Sequence, residues 1–184
     1  LPAYNEETHI KKNIESFLET KIFDEIIVVD NNSTDLTKIE IEKTSAKYLC
    51  EKIQGYGAAL RKGMEVSTGD YIVLCEPDST FSAKDIYKFL AYLDDFECIF
   101  GTRTTKSLIH KSAEMQFSLR MGNIIVAKML EYMFLGPTLS DVGCTYKVIS
   151  RNSYQKIQHN LTVIGSEFQP ELMINLILKK VKIL

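Results

Sequence analysis

The sequence predicts an α/β protein with a mostly parallel central sheet flanked by helices. Three observations lead there. Short β-branched or aromatic apolar runs recur along the first hundred residues, as in "EIIVVD", "DYIVLC" and "ECIFGT". Each run ends in polar turn residues, the mark of a buried strand reaching a loop. Stretches of helical period separate the runs, and strands joined through helices imply parallel pairing with right-handed crossovers.

The elements follow in chain order. "ETHIKKNIESFLE" places Ile10, Ile14, Phe17 and Leu18 on one helical face. "FDEIIVVDNNSTD" holds a strand, and "STDLTKIEIEK" a helix with Ser33 or Thr34 as N-cap and Asp35 in the first turn. "AKYLCEK" is a short strand. "GYGAALRKGMEVS" is a helix by its spacing of Ala59, Leu60, Gly63 and Met64. After the "DYIVLCEPD" strand, "SAKDIYKFLAYLDD" is a helix with Ser82 as N-cap and Asp85 in a variant capping box. "ECIFGTR" is the next strand. "EMQFSLRMGNIIVAKMLEYMFLG" is long, apolar and Met-rich, with Arg120 and Lys128 as its basic residues. "DVGCTYKVISRNSY" reads as a turn and a short strand. "GSEFQPELMINLILKK" is a closing helix that starts at or just before Pro170.

The totals set limits. A chain of 184 residues suits one domain with a real core. The apolar share of 45% and charged share of 25% are those of a soluble globular protein, and a net charge of −2 gives no reason to expect nucleic acid. Cys50, Cys75, Cys98 and Cys144 are far apart and form no C-x-x-C pair. That argues against a zinc site or a disulfide framework and fits a reducing compartment, the cytoplasm. Cys50, Cys75 and Cys98 lie in apolar runs and read as small core residues. No stretch is long enough to span a membrane, and no signal peptide is present. The chain opens on "LPAYNEE" with no initiator Met and no strand before it. It stops at "ILKKVKIL" without a capping signal, so the expectation is a chain truncated at both ends.

In parallel α/β sheets, ligands bind beyond the carboxyl ends of the strands. Three such exits are polar: Asp30-Asn31-Asn32, Glu76-Pro77-Asp78 and Gly101-Thr102-Arg103. Residues two apart on a strand point to one side, so Glu76 and Asp78 can converge. A hard divalent cation wants such oxygen ligands, and Mg²⁺ is usually held by one or two carboxylates plus substrate phosphates. The competing reading of Asp78 is a turn cap in "DSTF". Asp30 suits either a base or ribose contact or an Asn-Asn-Ser turn. Glu6 or Glu7 suits a helix start. "GYGAALRKG" lacks the third glycine of a dinucleotide fingerprint, because position 60 is Leu. Gly55 and Gly57 let backbone approach either a bound diphosphate or a neighbouring strand.

In this order and spacing, "LPAYNEE", "VVDNNSTD", "GYGAALRKG", "CEPDSTF", "GTR" and "SDVGCTYK" resemble family 2 glycosyltransferases of the GT-A (nucleotide-diphospho-sugar transferase) fold, nearest in flavour to the dolichol-phosphate mannose synthase group and its bacterial relatives. The resemblance covers nearly the whole chain. It implies one catalytic domain, with a nucleotide-sugar half over residues 1–105 and an acceptor half over 106–184. Pro2, Ala3, Tyr4 and Glu6 match the first nucleotide loop, and Asp30 matches the acid that contacts the base. Gly57 and Arg61 match the glycine-rich segment flanking the nucleotide. Glu76 and Asp78 match the D-x-D motif that holds Mn²⁺ or Mg²⁺, with Glu in place of the first Asp. Arg103 matches the basic residue after the next strand. Asp141 matches the acid before the acceptor motif, here Cys144-Thr145-Tyr146 with "GCT" in place of "CG". The absence of Q-x-x-R-W argues against a processive polysaccharide synthase.

The implied reaction moves a sugar, with inversion, from a UDP- or GDP-sugar to a sugar or a lipid phosphate such as a polyprenyl or dolichyl phosphate. Asp141 is the candidate base for a hydroxyl acceptor. Arg103, Arg120 and Lys147 are candidates to hold an acceptor phosphate. The apolar "MGNIIVAKMLEYMFLG" suits the cytoplasmic face of a membrane, plain core or a homodimer interface. A sugar nucleotidyltransferase and a non-catalytic nucleotide-sugar-binding domain stand as the alternatives.

Overall fold

The computed structural model describes residues 1–78, 80–104 and 116–184. Its first half follows the expected alternation. β1 (Pro2–Ala3) leads to α1 (Ile10–Glu19), β2 (Ile27–Asp30), α2 (Thr37–Glu42), β3 (Lys47–Cys50) and α3 (Tyr56–Val66). β1, β2 and β3 pair in that order, all parallel, with Ala3 opposite Asp30 and Asp30 opposite Cys50. All four residues of β2 are buried, which explains its unbroken apolar run.

The second half departs from a purely parallel plan. β4 (Tyr71–Leu74) and β5 (Cys98–Phe100) flank β6 (Lys147–Ser150), and both pair with it antiparallel. β6 returns from far along the chain and inserts between two strands that precede it. Nothing in a four-residue run announces its direction. One cluster of buried residues takes in Ala3 and Val28 from the first sheet and Cys75, Cys144 and Tyr146 from the ends of the second. The two sheets therefore share a layer.

α1 covers one face of that layer with Ile10, Ile14 and Phe17 fully buried. The opposite face carries α3, α5 (Phe117–Phe134), α6 (Arg151–Ile157) and α7 (Phe168–Leu178), packed around Leu74, Ile149, Phe168 and Leu172. α7 begins two residues before Pro170, as a proline in the first turn allows. The expected α5 segment is helical over Phe117–Phe134, but residues 114 and 115 and the half boundary at 105 fall outside the described residues.

Three local expectations change. α2 starts at Thr37, without a side-chain cap, because Ser33 and Thr34 serve the neighbouring loop instead. Ser33 Oγ accepts the Asn5 amide at 3.0 Å, and Thr34 N donates to Asn5 Oδ1 at 2.8 Å. The helix expected from Ser82 is a 3₁₀ turn (Ala83–Asp85) followed by the short α4 (Ile86–Leu90), and Ser82 makes no side-chain cap. Cys50 is exposed and so is no core residue, whereas Cys75, Cys98 and Cys144 are buried. Cys50 ends β3, whose other face is solvent-accessible.

Candidate active site

The exits of β1, β2 and β4 lie on one rim. Asn5 and Glu7 lock the first loop to the second: Glu7 N donates to Asp35 Oδ2 at 3.1 Å, and Leu36 N donates to Glu7 Oε2 at 2.8 Å. Asn5 and Asn32 take the left-handed backbone conformation, with φ of 54° and 64°, which asparagine tolerates at turns. Asn31 is buried and clamps the β3–α3 loop. Its Nδ2 donates to Glu51 O and Ile53 O, and its Oδ1 accepts Gly55 N at 2.7 Å. These bonds tie the rim loops to one another.

Asp78 lies near two further carboxylates, Glu76 and Glu6. Burial pushes the Glu76 carboxyl above its ordinary pKa, and the nearby Asp78 adds to the shift. Burial and Asp78 likewise push Glu6 up. Asp78 spends one oxygen on Thr80, whose N and Oγ1 donate to Oδ1 at 3.0 and 2.6 Å. The turn-cap and ligand readings of Asp78 are therefore compatible, since Oδ2 carries no such bond among the described residues. Asn13 of α1 donates to the Pro77 carbonyl and so fixes the turn between the two acids. Thr145 Oγ1 is buried beside Glu76 and Tyr56 and closes no hydrogen bond.

This donor set fits a hard divalent cation: carboxylates in mutual repulsion, with an unsatisfied hydroxyl next to them. Among the described residues, no three His, Cys, Asp or Glu side chains converge to hold an ion by themselves. The set therefore suits an ion completed by a ligand's phosphates.

Arg103 stands beside the acids. Its N and Nε donate to Asp141 Oδ2 at 2.9 and 3.2 Å, and its guanidinium lies over the Phe81 ring at 6.0 Å. Asp141 also accepts Gly143 N at 3.0 Å, and its side chain has no exposed surface. Its oxygens are committed to orienting Arg103 and the 141–143 turn, which leaves it badly placed as a base for a hydroxyl. Arg120 sits one turn before Asn123 on α5, and Asn123 Oδ1 accepts Gly143 N at 3.1 Å.

The remaining expected residues are placed as follows. Pro2 and Ala3 are buried in β1, and Tyr4 is exposed next to them. Asp30 is buried; Oδ1 accepts Ser33 N and Oδ2 accepts the Tyr48 hydroxyl, both at 3.0 Å. Gly57 and Arg61 turn toward another part of the chain. A Cβ on Gly57 would lie 2.6 Å from Val163 O, and Arg61 Nη1 donates to Leu161 O at 3.0 Å. Lys147 is fully buried under the rim, so its ammonium is not presented to a phosphate at the surface. Asn31 and Thr145 were expected only as members of the Asp30-Asn31-Asn32 exit and the Cys144-Thr145-Tyr146 motif, and Asn13, Tyr56 and Gln169 were not expected at the site. Their only sequence signal is a polar residue within an otherwise apolar helix face or strand end.

A cavity of about 290 Å³ runs under the amino ends of β2 and β4, lined by Ile27, Tyr71, Ile72 and Leu93 among others. It is mainly apolar in its lining and is not where the carboxylates meet.

The profile of the family described as "Glycosyl transferase family 2" matches residues 1–158. The chain belongs to glycosyl transferase family 2. Within this family it is 27% identical over 179 residues to the low-salt glycan biosynthesis hexosyltransferase Agl6 of Haloferax volcanii, covering 94% of this chain and 42% of that protein. It is 25% identical over 175 residues to the glycosyltransferase AglJ of the same organism, covering 94% and 55%. The chain thus spans about half the length of these relatives. Among solved structures, glucosyl-3-phosphoglycerate synthase from Mycobacterium tuberculosis, in complex with Mn²⁺ and UDP-glucose, superposes with a TM-score of 0.72 at 19% identity. That match covers 99% of this chain and 66% of the synthase. It shows that the family 2 chain has the GT-A fold.

Proposed function

We propose that this family 2 domain transfers a sugar, with inversion, from a nucleotide-diphosphate sugar to an acceptor. The observation that carries the reading is the carboxylate pair Glu76 and Asp78 on either side of Pro77 at the exit of β4, in a turn held by Asn13, with Arg103 beside them. Solved relatives of the fold that carry Mn²⁺ and UDP-glucose support it. Glu76 and Asp78 would hold a divalent cation, Mn²⁺ or Mg²⁺. When bound, the ion supplies charge stabilisation to the departing diphosphate. Arg103 adds a fixed guanidinium, pre-oriented by Asp141, to bind the same phosphates. Asp30 and Asn31 shape the pocket edge for the nucleoside, and the locked first loop bears Tyr4 next to it.

For the acceptor we favour an oxygen that is already an anion, such as a lipid phosphate. Asp141 is tied to Arg103 and Gly143, and a phosphate nucleophile needs no base. Arg120, on the α5 face that meets Gly143, is the candidate phosphate contact. α5 also exposes Ile125, Met129, Tyr132 and Met133, an apolar surface suited to lipid. No helix of the described residues is long and apolar enough to cross a membrane.

The deciding experiment measures transfer and hydrolysis of UDP-glucose and GDP-mannose with Mn²⁺, with and without polyprenyl phosphate in vesicles. Asp78→Asn should cut turnover by about 100-fold or more while the protein stays folded. Full turnover in that variant would sink the metal assignment. Transfer to a soluble sugar but never to the lipid phosphate would sink the acceptor. Metal and nucleotide binding without any turnover would favour a non-catalytic binding domain.

A further inference from the structure

Beneath Glu76 lies a buried polar chain that the rim chemistry above does not use. Lys147, at the start of β6, has no solvent exposure. Its ammonium donates to Cys144 O and to Gln169 Oε1, the latter at 2.7 Å, and lies 5.4 Å from the Phe100 ring centroid. Gln169, on the first turn of α7, is 3% exposed, and its Nε2 donates to the Tyr56 hydroxyl at 2.9 Å. Tyr56 opens α3 and lies close to both Glu76 and Thr145. Thr145 Oγ1 lies next to Glu76.

Chemistry fixes the direction of this chain. A lysine ammonium only donates, so it must meet the oxygen of the Gln169 amide. The amide nitrogen is then the end that faces Tyr56, and the phenol oxygen must accept. The Tyr56 proton is left for another acceptor, and Thr145 Oγ1 is the neighbouring buried oxygen without a partner. A hydroxyl that accepts from Tyr56 can pass its own proton to a carboxylate, which only accepts when ionised. The two observed links, Lys147 to Gln169 and Gln169 to Tyr56, share one polarity, and it is the polarity that would continue through Thr145 to Glu76.

We propose that Lys147, Gln169, Tyr56 and Thr145 form a one-way relay of hydrogen-bond donors that positions the Glu76 carboxylate for a divalent cation. These are positioning residues; Glu76 alone touches the ion. The proposal rests on the metal reading of the rim. A buried cation with no carboxylate in ion-pair contact is costly, and the hydrogen bonds to Cys144 O and Gln169 Oε1 offset part of that cost.

The test measures Mn²⁺ affinity in the presence of UDP, together with metal-free UDP affinity and the melting midpoint. Tyr56→Phe and Thr145→Val keep volume and remove one link each. Each should weaken Mn²⁺ binding about tenfold, the weight of one hydrogen bond to a charged group. Metal-free UDP affinity and melting should hold steady. Gln169→Glu keeps both contacts, but a carboxylate would accept from Lys147 and from Tyr56, turning the Tyr56 proton back. It too should weaken Mn²⁺ binding, although it adds an ion pair with Lys147. A purely structural role predicts the opposite for this variant. Wild-type Mn²⁺ affinity in both Tyr56→Phe and Gln169→Glu would overturn the relay, as would a parallel loss of metal-free UDP binding. Failure of the unaltered protein to bind Mn²⁺ with UDP would instead overturn the metal reading itself, and the relay with it.

Discussion

Asn13 of α1 donates its side-chain amide to the carbonyl of Pro77, 64 positions further along the chain. The bond joins the first helix to the turn that separates Glu76 from Asp78. Both partners are buried, so the carbonyl has no access to water if the donor is lost. Asn13→Leu keeps the volume and removes the donor. It should cost about 1–3 kcal/mol in urea unfolding, the penalty of an orphaned buried acceptor. Because the turn carries both acids, Mn²⁺ affinity should fall as well. A variant as stable as the parent would show that the contact contributes nothing.

The alternation that announced the fold was legible because strands with a buried face read as short apolar runs, unbroken in β2, whatever the direction of their partners. The rim acids were legible for a related reason: charge at the tip of such a run needs an explanation. What stayed hidden depends on tertiary return. β6 is four residues long, and its antiparallel place between β4 and β5 is set by the chain's path. Lys147 was expected to hold an acceptor phosphate, yet the pleat turns it inward under the rim, level with Leu74 and Phe100. Asp141 was recognised as a site residue, but its three donors, which decide what it does, come from Arg103 and Gly143. Gly57 and Arg61 match the glycine-rich segment that flanks the nucleotide, and only the 161–165 segment folding back on α3 shows what they meet.

Glu76 makes the metal-free protein sensitive to pH. Burial, then Asp78, raises its folded pKa above the ordinary glutamate value of about 4.3. The folded state therefore binds the proton more tightly than the unfolded state does. Its contribution is fully present below the unfolded pKa and is lost as pH rises through the folded one. Glu76→Gln cannot ionise. Its stability relative to the parent, from urea unfolding without metal, should rise between acid and neutral pH. A difference that is flat with pH would contradict the burial of this carboxyl.

Lys147 predicts the reverse slope at the alkaline end. Burial lowers its pKa to about 8, while an unfolded lysine titrates near 10.4. Between those values the unfolded chain binds more protons, so stability gains from this group as pH rises. Lys147→Met removes the titration. The stability difference between parent and variant should change in the parent's favour from pH 8 to pH 10. Other groups titrate in that range, so the difference between the two proteins is the quantity to follow, and a constant difference would mean that the ammonium is solvated.

Two glycines should respond to alanine with opposite signs. Gly55 caps α3 at φ 148°, and a Cβ there would stand 2.2 Å from Ile164 O. Its amide is also held by Asn31. Backbone strain and collision with a carbonyl act together, so Gly55→Ala should cost on the order of 3 kcal/mol. It should also displace the β3–α3 loop from the rim and weaken nucleotide binding. Gly122 lies within α5, where an added Cβ meets nothing within 4 Å. There the substitution only improves helix propensity, and Gly122→Ala should add about 0.5–1 kcal/mol. Thermal melts of the two variants separate the effects. If Gly55→Ala melts with the parent, α3 does not pack on the 163–165 segment as described, and Tyr56 loses the anchor that aims it at Glu76.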